Sequence, residues 1–509
     1  MTEREVVVVG GGVGGLVTAI ELARGGARVT LLERGSAVGG KMRTVSVEGR
    51  PIDVGPTVLT MRWVFDEIFR AAGASLEEFV SLSRADVLAR HAWVDTPGQT
   101  LDLFHDAEKS ADAIGAFAGP REARGYLAFV EHARRVFETV EEPFMLAEKP
   151  SIGSALSLAG RLGTSVFSRI DAHRTMHKSL GDFFRDPRLV QLFGRYATYT
   201  GSSPFLAPAT LNVVAHVERE GVWLVRGGMI ELGRALAALA ARLGVEIRTN
   251  AEVSRIRVAS DRVQGVELAS GEVLEAKAVV HNGDVGALSS GILGAEVRRA
   301  APAPSDRSLS AMTFACVAET SGFALDRHNV VFSSRYEREF DELFSEGRVP
   351  REPTVYVCAQ DRGLGDPTPS RERLFLLVNA PADGDRHVYT PQEIRECEAR
   401  TKTQLSRIGL RLCESSETVV STPSDFARAF PATGGALYGA ATHGMSASFA
   451  RSGSSTKIRG LFLSGGSVHP GAGVPMVALS GRLAAKKVAA DLDSTSRFAR
   501  TGTLGGIWT

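Results

Sequence analysis

Residues 5–40 read EVVVVGGGVGGLVTAIELARGGARVTLLERGSAVGG, and this stretch decides the fold. Val6, Val7, Val8 and Val9 make a continuous β-branched run, the pattern of a strand buried on both faces. Gly10, Gly12 and Gly15 follow in a G-x-G-x-x-G turn. Leu16, Ala19, Ile20 and Ala23 then recur on one apolar helix face, and residues 28–32 read as a second strand ending at Glu33. Gly10 permits the tight turn, Gly12 lets backbone approach a pyrophosphate, and Gly15 lets the helix pack closely on the strand; the helix N-terminus attracts the anion. Glu33 stands where a carboxylate accepts hydrogen bonds from a ribose. Strand, glycine turn, helix, strand and acid together predict dinucleotide binding. They leave NAD and FAD both open.

Moving outward, Gly39, Gly40, Lys41 and Arg43 form a second glycine and cation site. Its amides and basic side chains suit the phosphates and ribityl chain of a flavin, and Arg34 lies beside it. Residues 50–60 read as a strand entering a turn, with Gly55, Pro56 and Thr57 returned beside the cofactor. Residues 63–200 are expected to be mainly helical. Within them, 151–184 interleaves apolar residues with Arg161, Arg169, His173, Arg174, His177 and Lys178. Such a segment can lie in a membrane interface, or form a helix pair with a solvated basic side. Residues 245–249, 252–258, 263–268 and 273–280 read as strands, and 311–319, 329–333, 354–359 and 374–379 as strands of a second sheet, followed by a helix over 391–410. Near the end, 461–463 read as a strand, then a glycine-rich loop, then a helix; from about 494 the chain is polar and is expected to be loose.

Composition narrows the classes. The chain has 509 residues, 44% hydrophobic and 23% charged, with a formal net charge of +1. A large core is possible, and nothing in the charge balance calls for nucleic acid. Cys316, Cys358, Cys397 and Cys413 show no metal-binding spacing and fit reduced thiols in a cytoplasmic protein. No metal is expected. The first strand begins too early for a signal peptide, and no apolar run is long enough to span a bilayer. The expectation is a cytoplasmic protein whose membrane contact, if it has one, is peripheral; no oligomeric state is assigned.

The pattern E-x-x-x-x-x-G-G-[KR]-x-x-[ST], carried by Glu33, Gly39, Gly40, Lys41 and Thr44 after the first fold unit, resembles the FAD-binding amine oxidase and carotenoid desaturase superfamily. The resemblance favours FAD over NAD. It implies an α/β fold: a discontinuous Rossmann-like FAD-binding domain over 1–80, 220–300 and 457–493, an α+β substrate domain over 81–219 and 301–456, and a flexible tail over 494–509. It further implies that Val253 meets the adenine side through its backbone. The segment VVHNGD over 279–284 is similar to a family segment that places Asn282 and Asp284 near the cofactor, although both residue types also cap turns. In the loop after residue 463, Gly466 would pass the ribityl and phosphate groups. Val474, Pro475 and Met476 would bring amides and a helix N-terminus to the flavin's pyrimidine end. Many FAD proteins carry Gly-Asp where this chain has Gly466-Ser467. Residues 466–475, GSVHPGAGVP, instead match the carotenoid desaturase string G-x-x-H-P-G-x-G-[IV]-P.

Four further segments resemble the group of that family acting as 1-hydroxycarotenoid 3,4-desaturases: HNVVFSSRYEREFDELF at 328–344, PTVYVCAQDR at 353–362, LFLLVNAPADGD at 374–385 and GALYGAATHGMSASFARSG at 435–453. The resemblance implies an FAD-dependent desaturase on an acyclic hydroxylated carotenoid, working at a membrane surface. Phytoene desaturases and carotenoid isomerases of the family are alternatives, as is a non-redox prenyl-lipid escort. No catalytic residue is assigned. Glu148 and His443 are polar residues in apolar or glycine-rich surroundings, and structural roles suit them better than that of a base.

Overall fold

A computed structural model describes residues 4–149, 170–303, 306–445 and 447–501. The valine run forms the strand Glu5–Val9 at the centre of a five-stranded parallel sheet. Across the sheet the order is Leu461–Leu463, Ala278–His281, Glu5–Val9, Arg28–Leu32 and Glu246–Arg248. Side chains alternate across a strand, and the alternation explains the run. Val6 and Val8 pack against the helices Val13–Arg24, Ile230–Arg242 and Val474–Thr501. Val7 packs on the opposite face with Val279, Ile256 and Val266. That face is covered by an antiparallel meander of Val253–Ala259, Arg262–Leu268 and Val273–Glu275.

The second sheet has seven strands in the order Arg411–Ser421, Ser310–Ser321, Glu372–Ala380, Val355–Ala359, His328–Phe332, Val87–Trp93 and Thr100–Phe104. Neighbours are antiparallel except His328–Phe332 and Val87–Trp93. One face is covered by the helix Pro391–Arg407, which buries Cys397 and Leu405 against Val355, Leu376 and Met312. That helix starts where its sequence says it should. Thr390 and Glu393 form a reciprocal capping box, and Pro391 occupies the first turn, where its missing N–H costs nothing. Helices Pro120–Val140, Pro187–Gly194 and Val213–Glu220 form a further layer with an aromatic core of Tyr126, Phe129, Phe184 and Phe193.

The structure corrects three expectations. The stretch 63–200 is not helical throughout: Leu82–Arg84, Val87–Trp93 and Thr100–Phe104 are strands. Residues 273–280 are not one strand. The chain leaves the meander after Glu275, and Lys277 N–H donates to the Glu5 carbonyl at 3.0 Å, so Ala278–His281 joins the parallel sheet instead. The final helix continues to Thr501, past the point where a loose tail was expected. The interfacial segment read over 151–184 lies, up to residue 169, outside the described residues.

Candidate active site

Two cavities meet between the sheets. One, of about 990 Å³, runs along the glycine turn; the other, of about 450 Å³, lies between the seven-stranded sheet and the helical layer. Gly55, Pro56, Leu377, Tyr438, Gly473 and Val474 border both, so the cavities share a wall.

The larger cavity is built on bare backbone. A Cβ on Gly15 would stand 2.1 Å from the Gly10 carbonyl oxygen, so this glycine packs helix on strand and does not itself line the space. Asn282 straps the same turn. Its Nδ2 donates to the Gly10 carbonyl at 3.1 Å and its Oδ1 accepts from the Ser464 hydroxyl at 3.2 Å. The neighbouring Gly14, which the spacing rule passes over, is needed because a Cβ there would lie 2.5 Å from Asn282 Oδ1. Asp284 caps the short helix Val285–Ser289 by accepting from Gly286 N–H at 2.8 Å. Ser467 has a partner of its own: its hydroxyl accepts from Val285 N–H at 3.1 Å.

Gly10, Gly12, Glu33, Arg34, Gly40, Lys41, Arg43, Gly55, Pro56, Val253, Asn282, Gly466 and Val474 all border the larger cavity. Thr57, Pro475 and Met476 border the smaller one, with Gly55, Pro56 and Val474 common to both. The Glu33 carboxylate accepts from Gly11 N–H at 2.8 Å and Gly35 N–H at 2.7 Å, which leaves it acceptor capacity on both oxygens. Arg34 reaches across the cleft to donate to the carbonyls of Arg428 and Ala429, at 2.8 and 3.0 Å. Lys41 donates to the Leu437 carbonyl and lies over the Phe430 ring at 5.3 Å; burial lowers its pKa, against the pull of Asp284. Both cations therefore fasten the segment 428–437 over the glycine turn.

A dinucleotide of FAD's size fits these residues. A Cβ on Gly40 would stand 3.0 Å from Gly12 Cα, so the two glycines keep side chains out of the floor. One Arg43 nitrogen, Nη2, is buried without a hydrogen-bond partner among the described residues, and a phosphate oxygen is the acceptor such a donor calls for.

Sequence reasoning missed Arg451, whose short motif resembles any solvated basic residue. It is 8% exposed and donates to the carbonyls of Gly466 at 2.9 Å, Ala440 at 2.9 Å and Tyr438 at 3.2 Å. Burial pulls its pKa down to about 10, so it stays charged near neutrality. The polar residues weighed as bases have structural partners. Glu148 pairs with Lys487 at 2.6 Å, and His443 Nε2 accepts from Ser203 N–H at 3.0 Å.

Residues 13–489 match the family model described as flavin containing amine oxidoreductase. The chain is 51% identical to the hydroxyneurosporene desaturase of Rubrivivax gelatinosus, covering 99% of this chain and 97% of that one. It is 43% identical to the hydroxyneurosporene desaturase of Cereibacter sphaeroides, over 97% and 99% of the two chains. Among solved structures, cyclohexylamine oxidase from Brevibacterium oxydans shares the fold with a TM-score of 0.58 at 15% identity, covering 96% of this chain and 100% of that one. The chain belongs to the flavin-containing amine oxidoreductase family and is an oxidoreductase whose cofactor is FAD.

Proposed function

We propose that this protein introduces the C-3,4 double bond into acyclic 1-hydroxycarotenoids. The observation that carries the reading is the smaller cavity, lined largely by apolar side chains and adjoining the FAD cleft at residues bordering both. Three relatives named hydroxyneurosporene desaturase, at 41–51% identity over nearly the whole chain, support the substrate class. FAD supplies the two-electron oxidation by accepting a hydride. The protein's part is to seat a long polyene, align one bond near its end and keep water away. Phe332, Phe340, Val213 and Val217 supply apolar wall, and Val474–Met476 stands at the junction.

A product panel tests this. The chain loaded with FAD is expected to convert a 1-hydroxylated acyclic carotenoid to a red-shifted product with one more double bond, and to leave phytoene unchanged. Desaturation of phytoene alone overturns the reading, and a product of unchanged hydrogen count makes the protein an isomerase. A purified chain that takes up no FAD on titration would return the escort reading.

The same reading places the enzyme on a membrane surface, where a carotenoid is dissolved. No helix among the described residues is long and apolar enough to cross a membrane. Leu206 is 48% exposed and Met445 60%, and Gly444 N–H donates to the Leu206 carbonyl at 3.0 Å, which brings the two segments together. Met445 also borders the apolar cavity, so the exposed pair marks its mouth. Replacing both Leu206 and Met445 with lysine is expected to lower partitioning onto neutral phospholipid vesicles about tenfold or more, by withdrawing two apolar side chains from the interface. Equal co-sedimentation of variant and parent, with FAD bound in both, rejects this mouth as the docking face.

A further inference from the structure

Arg195 is a half-buried cation on the wall of a largely apolar cavity that it shares with the charged groups of Arg451 and Glu339, and its setting does not explain its spare donors. It opens the 3-10 helix Arg195–Thr200 and borders the smaller cavity. Its guanidinium lies 5.3 Å from the Tyr199 ring centre and 5.6 Å from that of Tyr356. Its side-chain hydrogen bond among the described residues is a long one, Nη1 to the Tyr199 hydroxyl at 3.4 Å. The Tyr199 hydroxyl in turn donates to Glu218 Oε1 at 2.8 Å, so the carboxylate acts on Arg195 from behind a phenol. A guanidinium carries five N–H donors. Donors turned to a cavity with so little compensation become costly once an apolar substrate displaces the water there, and the two aromatic faces offset part of that cost without accepting a directed bond.

The position is as telling as the chemistry. Tyr356 stands directly opposite Leu377 on the neighbouring strand, so the two side chains share a face. Leu377 borders both cavities. The Tyr356 hydroxyl also bonds the Thr57 hydroxyl at 2.7 Å, one residue beyond Gly55 and Pro56, which border both cavities too. Arg195 therefore lies beside the junction of the substrate cavity and the FAD cleft, at neither the mouth nor a remote end.

Resting on the function proposed above, the substrate places a demand on that junction. Its hydroxyl is carried by C1, two bonds from C3. Any pose that brings the C3–C4 bond to the cofactor brings the hydroxyl to the same place. We infer that Arg195 reads this hydroxyl: a guanidinium N–H donates to the alcohol oxygen, while the rings of Tyr199 and Tyr356 hold the guanidinium in place. An unhydroxylated chain end put in the same pose shuts the donors off from water and leaves them unpaired, which is how a polar site rejects an apolar analogue. Arg195 is thus a specificity-determining residue that also fixes which bond is presented.

The test compares kcat/KM of the full-length FAD-loaded enzyme on two acyclic carotenoids that differ by the C1 hydroxyl. The parent is expected to favour the hydroxylated one. In Arg195→Met the preference is expected to fall about tenfold to a hundredfold. In Arg195→Lys it should fall less, because an ammonium still donates but lacks the planar fork held between rings. Bound flavin absorbance monitors the fold, and if Arg195→Met does not retain FAD, the preference of Arg195→Lys decides. A preference unchanged in the folded variants, or equal losses on both substrates, overturns the assignment of Arg195 alone. A parent with no preference overturns the functional reading, and this inference falls with it.

Discussion

Glu33→Arg is expected to yield a protein that purifies without flavin and binds added FAD at least a hundredfold more weakly than the parent, as read by quenching of flavin fluorescence on titration. Two effects act together. The carboxylate holds Gly11 N–H at 2.8 Å and Gly35 N–H at 2.7 Å, and so fixes the end of the second strand against the glycine turn. Hydrogen bonds to a charged group are worth about 1.5–3 kcal/mol each. Arginine offers those two donors nothing and presents further donors where ribose hydroxyls need an acceptor. Glu33→Gln, which keeps an acceptor oxygen, should lose much less. Unchanged FAD affinity in the charge-reversed variant would remove the ribose from this part of the cleft.

Arg451→Met should have the largest effect on stability. Three carbonyls, of Tyr438, Ala440 and Gly466, turn towards one guanidinium in a buried setting. Methionine fills the volume and donates nothing, so the loss is expected to be about 3–5 kcal/mol. Tyr438 borders both cavities and Gly466 borders the FAD cleft. The loss should therefore appear twice: in a lower melting temperature, and in a smaller rise of that temperature when FAD is added. A variant that melts with the parent under both conditions refutes the role given to Arg451.

The parts of the fold legible in the sequence are those whose determinants are local. The strand Arg28–Leu32 and the strand Leu461–Leu463 fall where their apolar residues put them, because each is a parallel strand whose apolar side chains are buried and which has turn residues at its ends. Val87–Trp93 was hidden for the opposite reason. Its apolar pattern is broken by Arg90 and His91, and both are reconciled with a sheet by partners elsewhere: Arg90 pairs with Asp102 at 2.7 Å, and His91 Nδ1 meets the Leu101 carbonyl at 3.0 Å. The parallel partner of this strand, His328–Phe332, lies far along the chain, so no short window contains the reason for its conformation. The site divides similarly. Glycine spacing points to the cofactor cleft because backbone geometry is written in glycine. Arg195, which lines a cavity, and Arg451, which is buried, are invisible by that method, since such an arginine differs from a solvated one only in what the remote chain wraps around it.

The parallel sheet also sets a timetable. Glu5–Val9 and Arg28–Leu32 leave the ribosome long before Leu461–Leu463, which completes the other side of the sheet. At the usual pace of synthesis the interval is roughly 20–90 s. Throughout it the strand Ala278–His281, once made, has an unpaired edge, and the first helix lacks the last helix, to which Thr18 donates at the Gly481 carbonyl at 3.2 Å. A nascent chain thus has the glycine turn long before it has the opposite wall of the cleft. A ligand that needs both walls of the cleft can stabilise the fold only after Leu461–Leu463 has joined the sheet, so it acts on the stability of the assembled sheet and not on how the first strands fold.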